Sequence, residues 1–281
     1  MSVPVALPAA LAYGIADFAG GLAARRTSVL TVTVTVQLIG LLTLAPAVLL
    51  VPGTSSVAAL GLGAMAGIGG AGGLLLYLRG LAVGPMGVVA PLSAVVGAGL
   101  PLLTGMLAGE RPGPVTLLAL VVALAAILLA GAGSTRGSVG RSGVLLGLAA
   151  GVGFGLFFVA LDATPADSGL WPLLAGRLTS TFLLAALVLA PRGGGLTDRL
   201  RGVRRSGTLI ALSGVFDTAA NVGFLLATRL GDLGVSAVVV SLYPVVVVLL
   251  ARLVLRERLT AVQLTSAGLA LGASALLAAG G

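Results

Sequence analysis

Three charged residues lie inside long apolar segments of the sequence, and they are the first candidates for chemistry. Asp17 lies in the first segment, Arg177 near the middle of the seventh and Asp217 near the middle of the eighth. A charge at the centre of a membrane costs roughly 2.5 kcal/mol or more, so each one marks a functional site or a structural ion pair. In a wet cavity, arginine can bind a carboxylate and aspartate can bind an ammonium group. Without a cavity, Arg177 would only pair with an aspartate and join two helices, and both interpretations stay open.

Helical spacing places further polar residues beside these charges. Ser213, Asp217 and Asn221 recur every four residues and form one polar stripe on the eighth segment. Tyr13 and Asp17 are also four residues apart, on the first segment. A polar stripe cannot face lipid cheaply, so it faces another helix or a cavity. For Asp17 the structural alternative is a cap, or a side chain that reaches the nearer helix end.

Eight more residues are weaker candidates because they are polar or aromatic within apolar segments: Gln37, Tyr77, Ser93, Phe154, Phe157, Phe158, Ser241 and Tyr243. Aromatic side chains in such segments more often serve packing than binding. Tyr243 precedes Pro244, which removes a backbone hydrogen bond near the middle of its segment and favours a bend or a gate. The predicted substrate-binding residues are Tyr13, Asp17, Tyr77, Arg177, Asp217, Asn221, Ser241 and Tyr243.

The composition is that of an integral membrane protein. Of the 281 residues 58% are hydrophobic and 9% are charged, whereas soluble domains have about 25% charged residues. The 16 basic residues are all arginine and give a net charge of +8. They lie mostly in short turns between apolar segments, which indicates a membrane face rather than a nucleic-acid partner. Without Cys or His, we expect no disulfide, no metal and no cofactor.

Ten apolar segments are long enough to cross a membrane, which takes about 20 residues. They are continuous rather than alternating in polarity, so they predict helices and exclude a β-barrel. The N-terminus lacks the basic region of a signal peptide, so we expect the first segment to be a membrane helix. The longest link, Pro191 to Ser206, holds five arginines and is predicted to be a solvated loop. The predicted spans are 3–23, 29–51, 57–79, 84–108, 114–133, 143–161, 168–190, 208–229, 234–254 and 260–280.

Pairs of glycines four residues apart predict close contacts between these helices. The run from Gly67 to Gly72 also matches the pattern GxGxxG, but a nucleotide-binding loop needs a preceding strand in a soluble βαβ unit. We therefore interpret that run as packing. The glycine pairs are Gly63/Gly67, Gly69/Gly73 and Gly151/Gly155.

The second half of the chain repeats the first. A shift of 147 positions aligns Gly231 to Gly280 with Gly84 to Gly133 without a gap, and 16 of the 50 positions are identical. Each half then has five spans, residues 1–135 and 140–281. Because five is an odd number, the two copies must have opposite orientations in the membrane, as in the inverted repeats of many secondary transporters.

The two copies resemble the repeats of the drug/metabolite transporter superfamily, in its ten-helix EamA-type members. The specific marks are GERPGPVTLLAL from Gly109, RERLTAVQLTSAGLALGAS from Arg256, and the helix SLYPVVVVLLA with its Pro244. At the position of Pro244 the first copy departs from the pattern, with Gly97. The resemblance implies an exporter of amino acids, related metabolites or drugs with a central cavity between the halves.

The acidic residues shared by the two copies, Glu110 and Glu257, precede the last helix of each half and lie beside an arginine. An acid at this point complements the positive start of a helix and the neighbouring cation. We interpret both as structural residues rather than binding residues.

Two arguments about sidedness disagree. If the N-terminus were cytoplasmic, Arg111 and Arg229 would lie on the cytoplasmic face, and most other arginines would lie on the outer face. The positive-inside rule therefore predicts both termini outside. The resemblance implies both termini in the cytoplasm, and sidedness stays open between these predictions.

The predicted function is secondary transport, with export of amino acids or similar small metabolites by alternating access around a central cavity. We expect a multi-pass protein of the cell inner or plasma membrane, without nucleic-acid partners, as a monomer or a homodimer. One alternative is an integral-membrane enzyme on lipid or prenyl substrates. Its nearest acidic pair, Asp162 and Asp167, has no further ligands, so we do not expect an enzyme. The other alternative is a non-transporting scaffold, in which the polar stripe only joins helices.

Overall fold

The computed structural model describes residues 3–107, 113–133, 138–189, 196–230, 243–256 and 260–279. Every regular element in these ranges is an α-helix, because continuous apolar runs satisfy their backbone polar groups within one segment. The predicted all-helical class is therefore confirmed. The helices are α1 (Val3–Arg26), α2 (Val29–Leu50), α3 (Val57–Val83), α4 (Met86–Leu107), α5 (Pro114–Gly133), α6 (Ser138–Asp162), α7 (Trp171–Leu189), α8 (Leu196–Leu230), α9 (Tyr243–Val254) and α10 (Ala261–Ala279).

Within the described ranges, five helices are long and apolar enough to cross a membrane: α2, α3, α6, α7 and most of α8. Shorter apolar helices occupy part of α4, the whole of α9 and part of α10. Large apolar side chains such as Leu49 and Phe182 are 84% and 74% exposed, so lipid must cover them. The chain is a multi-pass helical membrane protein, and its ten crossings stay a prediction.

The loop predicted from Pro191 to Ser206 is wrong in its second part, because α8 begins at Leu196. Arginine has a high helix propensity, and the first part of α8 has one side packed against the protein and one side exposed. Val203 is half-buried while Arg204 and Arg205 are exposed. A Cβ added to Gly202 would lie 2.0 Å from Thr27 Oγ1, so this side of α8 packs on the turn between α1 and α2.

The helices pack along glycine-lined contacts, as the glycine spacing predicts. α3 lies against α6 and α7, α1 against α8, α2 against α7 and α8, and α4 against α6 and α10. A Cβ added to Gly63 would lie 2.3 Å from the Pro172 carbonyl oxygen, and one added to Gly67 would lie 2.3 Å from that of Gly176. Backbones can approach this closely only where no side chain intervenes.

The Arg25 side chain joins the ends of α1 and α3. Its Nε donates a hydrogen bond to the Leu81 carbonyl at 2.8 Å, and one terminal nitrogen donates to the Gly84 carbonyl at 2.9 Å. Both acceptors are carbonyls at the C-terminal end of α3, which the helix itself leaves without partners. The α1–α3 contact places Asp17 and Tyr77 within the same bundle.

Candidate functional site

Arg177 on α7 forms an ion pair with Asp217 on α8. The same guanidinium donates a second hydrogen bond to the side-chain oxygen of Gln37 on α2. The Arg177 and Asp217 side chains are only 10% and 15% exposed. The interpretation that Arg177 pairs with an aspartate and joins two helices is thus confirmed. The interpretation that Arg177 binds substrate stays a prediction.

A hydrogen-bonded ring holds Arg177 in place from its own helix and from α2. Gln37 Nε2 donates to Ser180 Oγ at 2.6 Å, and Ser180 Oγ donates to the Arg177 carbonyl at 3.1 Å. Gln37 and Ser180 are 4% and 1% exposed. α2 also comes close to this point, since a Cβ added to Gly40 would lie 3.2 Å from Arg177 Cζ. The guanidinium is therefore positioned by α2, α7 and α8 together.

Gln37 and Ser180 are not among the predicted binding residues. A single glutamine in an apolar helix has no periodic pattern, and a serine in a helix commonly bonds to its own backbone. Ser180 lies one turn after Arg177, and this spacing is the signal that could have pointed to it.

A second polar contact joins α1 to α3. The Tyr77 hydroxyl donates a hydrogen bond of 2.9 Å to Asp17 Oδ2. Asp17 is 9% exposed and Tyr77 is fully buried, with its ring edge-on to Phe154 at 5.5 Å between centroids. Asp17 therefore bonds within the bundle rather than at a helix end.

The aromatic rings of Tyr13 on α1 and Tyr243 on α9 lie 5.9 Å apart between centroids. Tyr13 is within electrostatic range of Asp17, Arg177 and Asp217. Asp17 is within the same range of Asp217, Tyr77 and Tyr243. Five helices, α1, α3, α7, α8 and α9, thus bring six of the eight predicted residues into one region.

The two remaining predicted residues have different outcomes. Asn221 is half-buried, and its side-chain nitrogen donates to the Asp217 carbonyl at 2.7 Å, so it bonds to its own helix. Ser241 lies outside the described residues, as do Glu110 and Glu257. Ser213, the third member of the polar stripe, faces α1, since a Cβ added to Gly20 would lie 2.7 Å from its Oγ.

Asp162 and Asp167 lie away from this region, in and beside the link between α6 and α7. Thr54 Oγ1 donates to Asp167 Oδ2 at 2.7 Å, and the Thr54 amide donates to the Asp167 carbonyl at 2.9 Å. Asp162 is exposed at the end of α6. In the part of the chain that the structure describes, no three His, Cys, Asp or Glu residues come together in a group that could hold a metal ion.

A bundle of apolar helices with an ion pair and a separate buried carboxylate defines a multi-pass membrane protein with a polar interior. The profile of the EamA-like transporter family matches residues 141–279. The chain belongs to this family, which is part of the drug/metabolite transporter superfamily.

Two further comparisons concern sequence and fold. No curated protein matches the sequence significantly. A solved structure named only as "Crystal structure of protein" has a similar fold, with a TM-score of 0.57 and 19% sequence identity over 98% of this chain and 96% of that one. At this identity, the likeness concerns the fold alone.

Proposed function

We propose that the protein is a secondary transporter that exports amino acids or similar small metabolites across the cell inner or plasma membrane by alternating access. The observation that carries the proposal is the polar region where α1, α3, α7, α8 and α9 meet, in which Asp17 and Arg177 are buried and Asp217 is half-buried. Intramembrane charges are costly, and they persist where they bind a substrate or an ion. The family, whose description is that of a transporter, supports the same conclusion.

Helix contacts support an inverted repeat with halves 1–135 and 140–281. In a repeat of five helices, each helix of one half corresponds to the helix five places away in the other half, so α1 corresponds to α6 and α8 to α3. The contact of α1 with α8 then corresponds to the contact of α6 with α3. In the same way, α1 with α9 becomes α6 with α4, and α2 with α8 becomes α7 with α3. All six contacts are present. Such internal symmetry lets two halves exchange inward-facing and outward-facing roles around one site.

Backbone contacts at glycine follow the same symmetry. A Cβ added to Gly14 on α1 would lie 2.4 Å from Val246 Cβ and 2.9 Å from a carbonyl oxygen one turn earlier on α9. A Cβ added to Gly151 on α6 would lie 2.6 Å from Val96 Cβ and 2.7 Å from a carbonyl oxygen one turn earlier on α4. The first helix of each half thus contacts the fourth helix of the other half through a glycine, which supports equivalent gates.

The charges of the region suit a substrate with an amine and a carboxylate. Arg177 is the cation that a substrate carboxylate would contact, and it would do so by exchanging with Asp217 or Gln37. Asp17 would contact the amine. The proposed binding residues are Tyr13, Asp17, Tyr77, Arg177, Asp217, Asn221, Ser241 and Tyr243.

Flux into proteoliposomes tests the proposal. The wild-type protein should move at least one member of a panel of amino acids and related metabolites faster than empty vesicles do. Asp217→Asn and Arg177→Ala should abolish this flux, whereas Asp162→Asn should not, because Asp162 is exposed and lies outside the polar region. Gel filtration and thermal unfolding should show that the variants are folded. An inactive wild type across a broad panel, or full activity in both site variants, would overturn the assignment.

A further inference from the structure

Gln37 on α2 and Arg177 on α7 occupy equivalent positions in the two halves. The shift of 147 positions that aligns the copies pairs Gly67 on α3 with Gly214 on α8. A Cβ added to Gly67 would lie closest to the carbonyl oxygen of the residue before Arg177. A Cβ added to Gly214 would lie 2.9 Å from the carbonyl oxygen of the residue before Gln37. The two contacts correspond, so Gln37 is the counterpart of Arg177.

The contact between these two counterparts is reciprocal. Gly40 and Ser180 are 140 residues apart, as Gln37 and Arg177 are. The guanidinium of Arg177 lies over Gly40, where an added Cβ would be 3.2 Å from its Cζ. The Gln37 amide donates to Ser180 Oγ at 2.6 Å, and its oxygen accepts from Arg177. Equivalent residues contact each other only at the two-fold axis that relates them, so this contact lies on the axis of the proposed repeat.

The ion pair of Arg177 with Asp217 lies off this axis. The shift of 147 positions relates Asp217 to Gly70, which has no side chain, so the pair has no counterpart in the first half. When two inverted halves exchange their conformations, a contact on the axis maps onto itself, whereas a contact off the axis need not be kept. The Asp217 side chain is also 15% exposed, whereas Gln37 is 4% exposed. Asp217 is thus the partner that can leave Arg177, and Gln37 is the partner that stays.

We propose that Gln37 is a specificity-determining residue that keeps the charge of Arg177 available to a substrate carboxylate. The proposal rests on the proposed function, and it adds that the carboxylate replaces Asp217 rather than Gln37. The Gln37 amide oxygen accepts one hydrogen bond from Arg177 and carries no charge, so it holds the guanidinium without neutralising it. Once Asp217 leaves, Nη2 of Arg177 donates to the carboxylate instead. A neutral carboxamide in that place would form weaker hydrogen bonds, because only one of the two partners would be charged.

Gln37→Glu tests this role, because it adds a charge with almost no change of shape. The proteoliposome assay measures KM for the L-amino acid that the wild type moves fastest, with the carboxamide of the same amino acid as competitor. The wild type should bind the carboxylate about tenfold or more tighter than the carboxamide, since a hydrogen bond between charged groups contributes about that factor. In Gln37→Glu the new carboxylate neutralises Arg177, so KM should rise by about tenfold or more and the preference should vanish. An unchanged KM and an unchanged preference would overturn the proposal.

Gln37→Met is the matched control, because its side chain has a similar length and is neutral. It loses the hydrogen bond from Arg177 but adds no charge, so it should raise KM and keep the preference for the carboxylate. If Gln37→Met lost the preference as Gln37→Glu does, Gln37 would act through packing alone and the proposal would be overturned. This variant also decides between the two roles if Gln37→Glu does not fold. Gel filtration and thermal unfolding establish which variants are folded.

Calorimetry of binding separates this role from transport. Each L-amino acid of the panel and its carboxamide are titrated into the detergent-purified wild type and into Gln37→Glu. Tighter binding of an amino acid than of its carboxamide, in the wild type alone and in a protein that moves no metabolite, would overturn the transporter assignment and leave the role of Gln37 intact. Conversely, flux without any preference for the carboxylate would overturn the role of Gln37 and leave the transporter assignment intact. A wild type that binds no amino acid more tightly than its carboxamide would also overturn the role of Gln37.

Discussion

The α3–α7 contact at Gly67 determines where Arg177 lies, and replacing this glycine is the most direct test of the packing. In Gly67→Ala the new Cβ would lie 2.3 Å from the carbonyl oxygen of Gly176 and 2.7 Å from its Cα. Both atoms are backbone, so no side chain can rotate away. Carbon and oxygen in close contact lie about 3.3 Å apart, so α3 and α7 must separate by about 1 Å.

Such overpacking costs about 1–3 kcal/mol. For a chain of this size, each kcal/mol lowers Tm by about 2–4 °C, so Gly67→Ala should melt about 2–12 °C below the wild type. Gly176 precedes Arg177, so the displacement should also weaken the contacts of Arg177 with Asp217 and Gln37 and reduce flux in proteoliposomes. Thermal unfolding of the detergent-purified protein measures the first effect.

Gly72→Ala is the matched control, because it makes the same chemical change on the same helix. A Cβ added to Gly72 meets nothing within 4 Å. Alanine has a higher helix propensity than glycine by about 1 kcal/mol, so this variant should melt at or slightly above the wild-type temperature. If Gly67→Ala and Gly72→Ala had the same Tm, the close α3–α7 contact would be refuted. The explanation of how Arg177 is positioned would then be refuted as well.

Thermal unfolding of further variants tests the ion pair, the Tyr77 hydrogen bond and a buried serine outside the polar region. Arg177→Met and Asp217→Leu should each lower the free energy of unfolding by about 3–5 kcal/mol, because each leaves one charge of the pair without its partner. The double variant should lose less stability than either single variant. Additive losses would contradict the ion pair. Tyr77→Phe removes the hydrogen bond to Asp17 and should cost about 1–3 kcal/mol, while an unchanged Tm would show that the bond adds nothing. Ser93 is fully buried, and its Oγ has no hydrogen-bond partner among the residues that the structure describes. Ser93→Ala should therefore leave Tm unchanged or raise it, and a large loss of stability would contradict this.

Much of the fold could be predicted from composition and spacing. Continuous apolar segments must form helices in a membrane, because lipid offers no hydrogen-bond partner to the backbone. Glycines at intervals of four lie on one side of a helix, so Gly63 and Gly67 predicted a close contact. The sequence could not predict that α7 would be the partner at both glycines, since many pairs of apolar helices could pack on such a surface.

The helical start of α8 was not predicted, for a local reason. Residues from Pro191 to Ser206 are rich in arginine and glycine, and that composition favours a solvated loop as much as an amphipathic helix. The contact of Gly202 with Thr27 gives this segment one packed side, and only the three-dimensional arrangement of α1 and α2 provides it.

The sequence by itself determined that Asp17, Arg177 and Asp217 are expensive charges inside a helical membrane protein, because an apolar segment of span length leaves a charged side chain far from water. It did not determine which aspartate pairs with Arg177. That choice was made by tertiary structure, since α2, α7 and α8 bring Gln37 and Asp217 to the guanidinium across separations of 140 and 40 residues. Asp17, on α1, has Tyr77 instead. A helix's pattern gives the side on which a charge lies, and only the packing of helices decides which charge it meets.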